Sequence, residues 1–359
     1  MWFPMHWIIP VWIIPCLELP NIFLRLPELF FGMRIRTFGH REKFRPRSLF
    51  VMNHVCHFDW LYFWGVVERN GNITTWKVVT KNSIKKVPIL GICLQYMCHI
   101  FVSRHWEVDE REFKKKLFYY NGLELPVQLL LFPEGGDFTG KSKAKSDTYA
   151  DTNGLKRYKY CLHPHARGFL YIMEALRSGR LDAVYDITVG YPDALAKTEA
   201  DLANGKYIPR EIHYNIRHYR AEDLPTDEEG LSQWLEERWR EKEETLKLFY
   251  AHKQFLVKGT ATGSGLRNVG NGHSEYRPVP EVAMPKSYSF TFKGLAFYLF
   301  ITIFFSYLFY LNWLWRCCVL VLTVYTLVKG LKGTGIDSVL PDKVHDVIEA
   351  AYRKCHRVK

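Results

Sequence analysis

The chain has 359 residues, of which 48% are hydrophobic and 16% aromatic, and its formal net charge is +12. A mean hydropathy of −0.17 excludes a polytopic membrane protein and favours a soluble-like body with local membrane segments. The basic residues are mixed with Asp and Glu, and no Arg/Lys block or zinc-finger spacing occurs, which argues against nucleic acid as the partner. A positive balance still suits an anionic membrane face or a phosphorylated substrate.

Residues 1–31 form an apolar segment that prolines interrupt. Pro4, Pro10 and Pro15 lie within the most apolar part, and no basic region precedes it, so we do not expect a secretory signal peptide. The run is short for a bilayer span, which needs about 20 residues. We expect membrane association, either as a broken interfacial segment or as a partial transmembrane helix.

Residues 32–258 alternate between apolar runs typical of strands and amphipathic stretches typical of helices, which predicts one α/β domain. Helices are expected after Asp59, over Asp109–Tyr120, over Arg167–Arg177 and after a capping box formed by Thr226 and Glu229. The predicted strands are Ser48–Met52, Lys77–Thr80, His99–Val102, Gln128–Phe132, Ala183–Gly190 and Glu211–Arg217.

The region after the predicted domain changes composition three times. Residues 259–290 are rich in Gly, Ser, Asn and Pro and predict a flexible linker. Residues 291–332 contain the uncharged run Leu295–Trp315, which is long enough to span a bilayer, and the shorter run Cys317–Val328. One helix with a re-entrant piece and a short hairpin both fit this region, and residues 333–359 predict a basic amphipathic tail.

The most informative local pattern is a histidine followed five residues later by an aspartate, where a predicted strand gives way to a helix. In this pattern His54 has the properties of a general base, since its reference pKa lies near neutrality. A carboxylate such as that of Asp59 can fix the imidazole tautomer and stabilise the imidazolium. Cys56, two residues further along the chain, is a weaker candidate for a nucleophile.

The spacing by itself is not specific, because His218 and Asp223 repeat it. The pair His54 and Asp59 differs from this second pair because another motif occurs later in the chain. That motif, Leu131–Asp137, is an apolar strand followed by an acidic glycine-rich turn. Glycines in such a turn let backbone N–H groups approach an oxyanion or a phosphate. The two motifs together favour an active site that contains His54 and Asp59.

Four motifs in order resemble those of the glycerolipid acyltransferases, and the longer stretches are most similar to the lysocardiolipin acyltransferase group. The resemblance covers about residues 32–255 and implies an α/β fold with a mixed sheet flanked by helices. The motifs are Asn53-His54-x4-Asp59, Phe101-Val-Ser-Arg104, Phe132-Pro-Glu-Gly135 and Asp186-Ile-Thr-Val-Gly-Tyr-Pro192.

This resemblance implies that His54 is the base, that Asp59 orients it, and that acyl-CoA and a lysophospholipid are the substrates. No bound cofactor is expected, and no metal either, because His54 and His57 are not accompanied by carboxylates or thiolates at zinc-ligand spacing. It also implies an acceptor site built by Arg104, Glu134 and Gly135 near the lipid phosphate. Arg104 can bond phosphate directly, whereas the Glu134 carboxylate has the wrong charge and is expected to position the turn or pair with a cation. Gly136, Asp137 and Lys81 are further substrate-binding candidates.

Two departures from the family pattern concern acceptor binding. Gly136 stands where such enzymes usually carry Thr, and the usual Pro-Arg pair after the third motif is here Pro164-His-Ala-Arg167, so Arg167 is expected to supply the charge. Gly136 also leaves open a catalytically silent lipid-binding scaffold on the same fold, whereas the absence of a Gly-x-Ser-x-Gly motif argues against a lipid hydrolase.

The resemblance suggests the endoplasmic reticulum membrane as the location, and the catalytic domain is expected to face the cytosol. Eight scattered cysteines without a CxxC pair favour free thiols in a reducing compartment. The candidate acceptors are lysocardiolipin, lysophosphatidylinositol and lysophosphatidic acid.

Overall fold

The computed structural model describes residues 32–70, 75–87, 90–122, 126–193, 208–258 and 276–283, together with 28, 197–198, 201, 204, 303, 307, 317 and 321. Strands and helices alternate over most of this part of the chain. The strands are β1 Arg34–Gly39, β2 Ser48–Met52, β3 Trp76–Lys81, β4 Ile100–Val102, β5 Gln128–Leu131, β6 Ala183–Gly190, β7 Glu211–Arg220, β8 Leu256–Lys258, β9 Tyr276–Pro278 and β10 Glu281–Val282. The helices are α1 Asp59–Asn70, α2 Leu90–Tyr96, α3 Trp106–Gly122, α4 Gly140–Thr152, α5 Ala166–Ser178 and α6 Glu228–His252, with 3-10 turns at Asn82–Lys86 and Ala221–Asp223.

One mixed sheet organises the described residues, with the strand order β10-β1-β7-β6-β2-β5-β3-β4. Strands β6, β2, β5, β3 and β4 run parallel to one another. Strand β7 is antiparallel to β6 and parallel to β1, and β10 closes the edge antiparallel to β1. Strands β8 and β9 form a separate antiparallel pair. The predicted mixed α/β architecture is confirmed.

Helices cover both faces of the sheet because their apolar residues recur at three- and four-residue intervals. Helix α1 buries Trp60, Phe63, Trp64 and Val67 on one face of the sheet, together with Phe50. The opposite face packs against α3, α5 and α6. The buried side chains there include Phe113, Leu117, Phe169, Ile172, Met173, Leu176, Leu231, Leu235 and Trp239.

The five parallel strands place their carboxyl ends at one edge of the sheet, where α/β proteins commonly bind ligands. Asn53 and His54 follow β2, and the turn that starts at Phe132 follows β5. Tyr191 follows β6, while Lys81 ends β3 and Arg104 comes shortly after β4. The four sequence motifs therefore lie at the ends of four different strands and meet at the same edge of the sheet.

Several predictions about elements need correction. The segment predicted as linker over 259–290 contains β9 and β10, which pair with β8 and β1. Helix α6 is capped by Asp227, whose carboxylate accepts from the Gly230 amide at 2.6 Å, so the capping box predicted at Thr226 is wrong by one residue. The prediction missed β1, α2, α4 and β8.

In the part of the chain that the structure describes, no helix is both long and apolar enough to cross a membrane. The segments 1–31, 291–332 and 333–359, predicted to be membrane-associated or amphipathic, lie outside the described residues except at Glu28, Ile303, Tyr307, Cys317 and Val321.

Candidate active site

His54 and Asp59 form the central contact of the site. The Nδ1 atom of His54 lies 2.9 Å from Oδ2 of Asp59. Asp59 begins α1 and is fully buried, whereas the His54 side chain is 16% exposed. Because Nδ1 faces the carboxylate, Nε2 is the ring nitrogen left to act on a substrate.

The chain fixes this pair from both sides. The Phe132 ring stacks on the imidazole of His54 with centroids 4.2 Å apart. The Phe138 amide donates to the His54 carbonyl at 2.9 Å, which ties the turn after β5 to the turn after β2. The amide side chain of Asn53 bonds both backbone groups of Val189, at 2.8 and 3.1 Å, and so joins the ends of β2 and β6.

Asp59 accepts further hydrogen bonds that the sequence did not reveal. The amides of Val55 and Cys56 donate to Oδ2 at 2.6 and 2.9 Å. The Tyr191 hydroxyl and the Cys56 thiol donate to Oδ1, the thiol from 3.2 Å. Tyr191 belongs to the fourth motif, so its place in the sequence was noted while its partner was not. Cys56 touches the aspartate as a hydrogen-bond donor, and burial raises the pKa of its thiol well above the ordinary value.

A cavity of about 540 Å³ opens beside this pair. Six of the nine predicted site residues line it, and these are His54, Lys81, Arg104, Gly135, Gly136 and Asp137. Much of the apolar lining comes from α1, β3 and the segment from β3 to the start of α2, and β4 and the end of β5 also contribute. Its members include Trp60, Leu61, Val78, Ile84, Val87 and Leu90. The cavity therefore combines cationic and imidazole groups with a hydrocarbon-like wall.

Arg104 lines the cavity from a turn with an unusual backbone conformation. Its φ is 69°, in the left-handed region that non-glycine residues rarely occupy. The buried carboxylate of Asp109 accepts from the amides of Ser103 and Arg104 at 2.6 and 2.7 Å, which holds this turn. The Arg104 guanidinium lies close to Gly136, with Nη2 3.6 Å from the position that a Cβ would take there.

Glu134 points away from the cavity and into the protein. Its Oε1 accepts from the indole N–H of Trp239 on α6 at 3.0 Å. Burial raises the pKa of the Glu134 carboxyl to about 8, against the opposing effect of the Trp239 bond. Its surroundings fit the positioning role expected for it and place it outside the cavity lining.

The position of Arg167 differs from the one expected for a phosphate-binding residue of this cavity. It lies at the start of α5, with its guanidinium 5.6 Å from the centre of the Trp106 ring, and it does not line the cavity. The residue of that segment nearest the glycine turn is His165, whose amide donates to the Pro133 carbonyl at 2.8 Å. Helix α5 starts at Ala166, so Arg167 lies in its first turn.

Asp137 faces a second histidine of the cavity. Its Oδ2 lies 3.4 Å from Nε2 of His57, and both side chains line the space. The sequence identified Asp137 from its place in the turn but gave no indication that His57 would be its neighbour.

The repeated His-x4-Asp spacing does not form a second pair. His218 lies on β7, where its ring stacks on that of His40 with centroids 5.2 Å apart. The carboxylate of Asp223 bonds Arg220 at 2.8 and 2.9 Å instead. A larger cavity of about 670 Å³ between the α4–α5 connection and α6 contains neither His54 nor Asp59. Its lining carries many Glu and Arg/Lys side chains but no histidine–carboxylate pair comparable to the one above.

The sequence matches two family profiles. A profile described as Acyltransferase matches residues 35–192, and one described as Acyltransferase C-terminus matches residues 203–288. The second profile extends over β8, β9 and β10, of which β10 pairs with β1 in the main sheet.

Curated relatives with similar sequences are named as acyltransferases. Lysocardiolipin acyltransferase 1 of Gallus gallus is 39% identical over 258 residues, which is 69% of this chain and 67% of that protein. Lysophosphatidylinositol acyltransferase 10 of Caenorhabditis elegans is 35% identical over 232 residues, which is 64% of this chain and 59% of that protein. The chain spans 58–67% of the length of the first three curated relatives it matches.

A solved structure, that of the 1-acyl-sn-glycerophosphate (LPA) acyltransferase PlsC from Thermotoga maritima, aligns with a TM-score of 0.44 and 14% identity. The alignment covers 64% of this chain and 80% of that one. Family membership is decided by the sequence matches and not by this alignment.

Proposed function

Because the chain belongs to the acyltransferase family, we propose that it transfers a fatty acyl group from acyl-CoA to a hydroxyl of a lysophospholipid. The observation that carries the proposal is the bond between His54 and Asp59 at the wall of a cavity with both cationic and apolar lining. A lysophospholipid acceptor matches both kinds of lining, because it has a phosphate-containing head and a hydrocarbon chain.

In the proposed mechanism His54 acts as a general base. Its Nε2 takes the proton of the acceptor hydroxyl while the hydroxyl oxygen attacks the thioester carbonyl carbon of acyl-CoA. The tetrahedral intermediate collapses by breaking the carbon–sulfur bond, and the CoA thiolate leaves and takes the proton back from His54. Asp59 keeps the ring oriented and stabilises the imidazolium between these steps.

The polar lining supports a phosphate near Arg104 and Lys81. A guanidinium forms strong charge-assisted hydrogen bonds to phosphate oxygens, and Arg104 already lies beside the glycine turn. The apolar lining from Trp60 to Leu90 suits an acyl chain, since burying each CH₂ group contributes about 0.8 kcal/mol.

The acceptor we propose is lysocardiolipin, lysophosphatidylinositol or lysophosphatidic acid, at the endoplasmic reticulum membrane with the catalytic domain in the cytosol. The relatives support this choice of acceptors, because their names include lysocardiolipin and lysophosphatidylinositol acyltransferases.

The test is acylation by membranes that contain the full chain, supplied with labelled acyl-CoA and each of the three lysolipids in turn. His54→Ala should lower turnover about 100- to 10,000-fold, the usual range for loss of a general base. Asp59→Asn should also be severe, because the wrong imidazole tautomer would be favoured.

His218→Ala is the matched control. His218 also has an aspartate five residues later, but the carboxylate of that residue, Asp223, is bonded to Arg220. This variant should retain near-normal turnover and lose about 1 kcal/mol of stability at most. An active His54→Ala together with an inactive His218→Ala, both at normal levels in membranes, would overturn the assignment. Lysolipid binding without any acylation by the wild type would favour the silent scaffold.

A further inference from the structure

We infer that Tyr191 is a positioning residue of the catalytic pair, which it serves by holding one oxygen of the Asp59 carboxylate through its hydroxyl. The inference rests on the proposed function, because it assigns a role within the same reaction. Tyr191 follows β6, 132 residues after Asp59 in the chain, and is 2% exposed.

The two carboxylate oxygens of Asp59 accept hydrogen bonds from different groups. Oδ2 faces His54 and also receives the amides of Val55 and Cys56. Oδ1 receives the Tyr191 hydroxyl and the Cys56 thiol. Donors on both oxygens prevent rotation of the carboxyl group, so that one defined oxygen always faces the imidazole.

Five thiol and phenol groups among the described residues lie close enough to Asp59 to interact with its charge, and they stay protonated at physiological pH. Burial raises the pKa of each of these thiol and phenol groups. They are Cys56 on the same turn, Tyr62 on α1, Tyr191 after β6, Tyr214 on β7 and Tyr250 on α6. His54 is therefore the group whose charge responds most directly to how the Asp59 charge is distributed.

A donor on Oδ1 changes that distribution. The Tyr191 hydroxyl draws negative charge toward Oδ1 and away from the oxygen that faces His54. Without it, more charge stays on the carboxylate beside the ring, and the imidazolium is favoured up to a higher pH. Protonation of a less well stabilised carboxylate would shift activity in the same direction. Loss of the donor should therefore move the acid limb of the pH–rate profile to higher pH.

Tyr214 provides a matched control. It is also a fully buried tyrosine near Asp59, but its hydroxyl has no hydrogen-bond partner among the described residues. Tyr191→Phe and Tyr214→Phe therefore remove the same atom from similar surroundings, and only the first removes a bond to Asp59.

The experiment measures kcat, KM for the acceptor and the pH–rate profile of the full chain in membranes. Tyr191→Phe should lower kcat about 3- to 10-fold, leave KM near the wild-type value and shift the acid limb upward by about half a unit to one unit. Tyr214→Phe should leave all three unchanged. A wild-type profile in Tyr191→Phe, or equal changes in the two variants, would overturn the inference.

Cys56 supplies a second comparison on the same oxygen. Cys56→Ser keeps a donor and should behave like the wild type, whereas Cys56→Ala should shift the acid limb in the same direction as Tyr191→Phe, by a smaller amount. A Cys56→Ser variant as impaired as Cys56→Ala, each with normal thermal unfolding, would contradict a role for donors on Oδ1.

A readout without catalysis separates this inference from the proposed function. The pH midpoint for modification of His54 by diethyl pyrocarbonate, followed by peptide mass spectrometry, should shift upward in Tyr191→Phe but not in Tyr214→Phe. If the wild type acylates no lysolipid, the proposed function fails, and this measurement still decides whether Tyr191 acts on the pair. An unchanged midpoint in Tyr191→Phe would count against the inference on its own.

Discussion

At the scale of single residues, the turn after β5 contains two neighbouring glycines with different requirements. Gly135 has a φ of 67°, and a Cβ there would lie 3.3 Å from Cδ2 of His165. Gly136 does not have a positive φ, and its added Cβ would make an ordinary contact of 3.6 Å with Arg104. Only the first position therefore requires glycine for its backbone.

We predict that Gly135→Ala impairs both folding and turnover, while Gly136→Thr keeps or raises turnover. A threonine hydroxyl beside Arg104 can donate to the acceptor phosphate and should tighten acceptor binding by about 1 kcal/mol. Thermal unfolding and acceptor KM of the two variants measure this. Loss of activity in a well-folded Gly136→Thr variant would mean that the phosphate does not lie near this residue.

Glu134 should make stability depend on pH. Its pKa is raised by burial from 4.5 to about 8, so the folded protein keeps a proton that the unfolded chain releases. Its contribution to stability is fully present below about pH 4.5 and declines as the pH rises toward 8. Glu134→Gln cannot ionise and keeps an oxygen acceptor for Trp239.

The difference in melting temperature between Glu134→Gln and the wild type should therefore be several degrees more in favour of the variant at pH 8 than at pH 5. Glu174→Gln, at an exposed position of α5, is the control and should show no such difference. Parallel curves for Glu134→Gln and the wild type would show that the carboxyl is ionised in the folded protein.

At the scale of elements, a buried ion pair attaches the long helix α6 to the central strand β6. The Nζ of Lys242 pairs with the Asp186 carboxylate and donates to the Ile187 carbonyl, and the side chains of the pair are 1% and 2% exposed. Trp239, one turn earlier on α6, bonds Glu134 in the turn beside the cavity. The helix thus connects the sheet with the site.

Lys242→Met should cost about 3–5 kcal/mol of unfolding free energy, because it leaves the buried Asp186 carboxylate without its partner. The double variant Lys242→Met, Asp186→Asn should recover a large part of that loss, since both charges are then absent. Chemical denaturation of the three proteins measures the coupling. Additive effects of the two substitutions would show that the pair is not energetically coupled.

At the scale of the whole molecule, the proposed topology places the body in the cytosol and the anchor at residues 295–315. The motivation is the length of that uncharged run, together with the free thiols of Cys56, Cys161 and Cys317. Protease added to intact microsomes should digest the 32–258 body. Full protection of the body, with digestion after detergent is added, would place it in the lumen instead.

The sequence by itself determined most of the α/β domain and the central pair of the site. Strands β2 to β7 are mostly apolar runs, and helices α1, α3, α5 and α6 have apolar residues at helical spacing, so they could be recognised locally. Helix α4 could not, because Ala150 is its only buried residue among 13 and an apolar stripe is missing. Strand β10 has two residues and exists through its pairing with β1, about 245 positions earlier in the chain.

The tertiary structure alone decided which residues act on one another within the site. His54 and Asp59 are five residues apart, so one turn of chain brings them together and the sequence could pair them. Tyr191 and Asp59, or Trp239 and Glu134, are separated by 132 and 105 residues, and their contacts depend on the strand order. Arg167 matched a local pattern, but it does not line the cavity. The local sequence determines which side chains are available to the site, whereas the strand order of the sheet determines which of them come into contact.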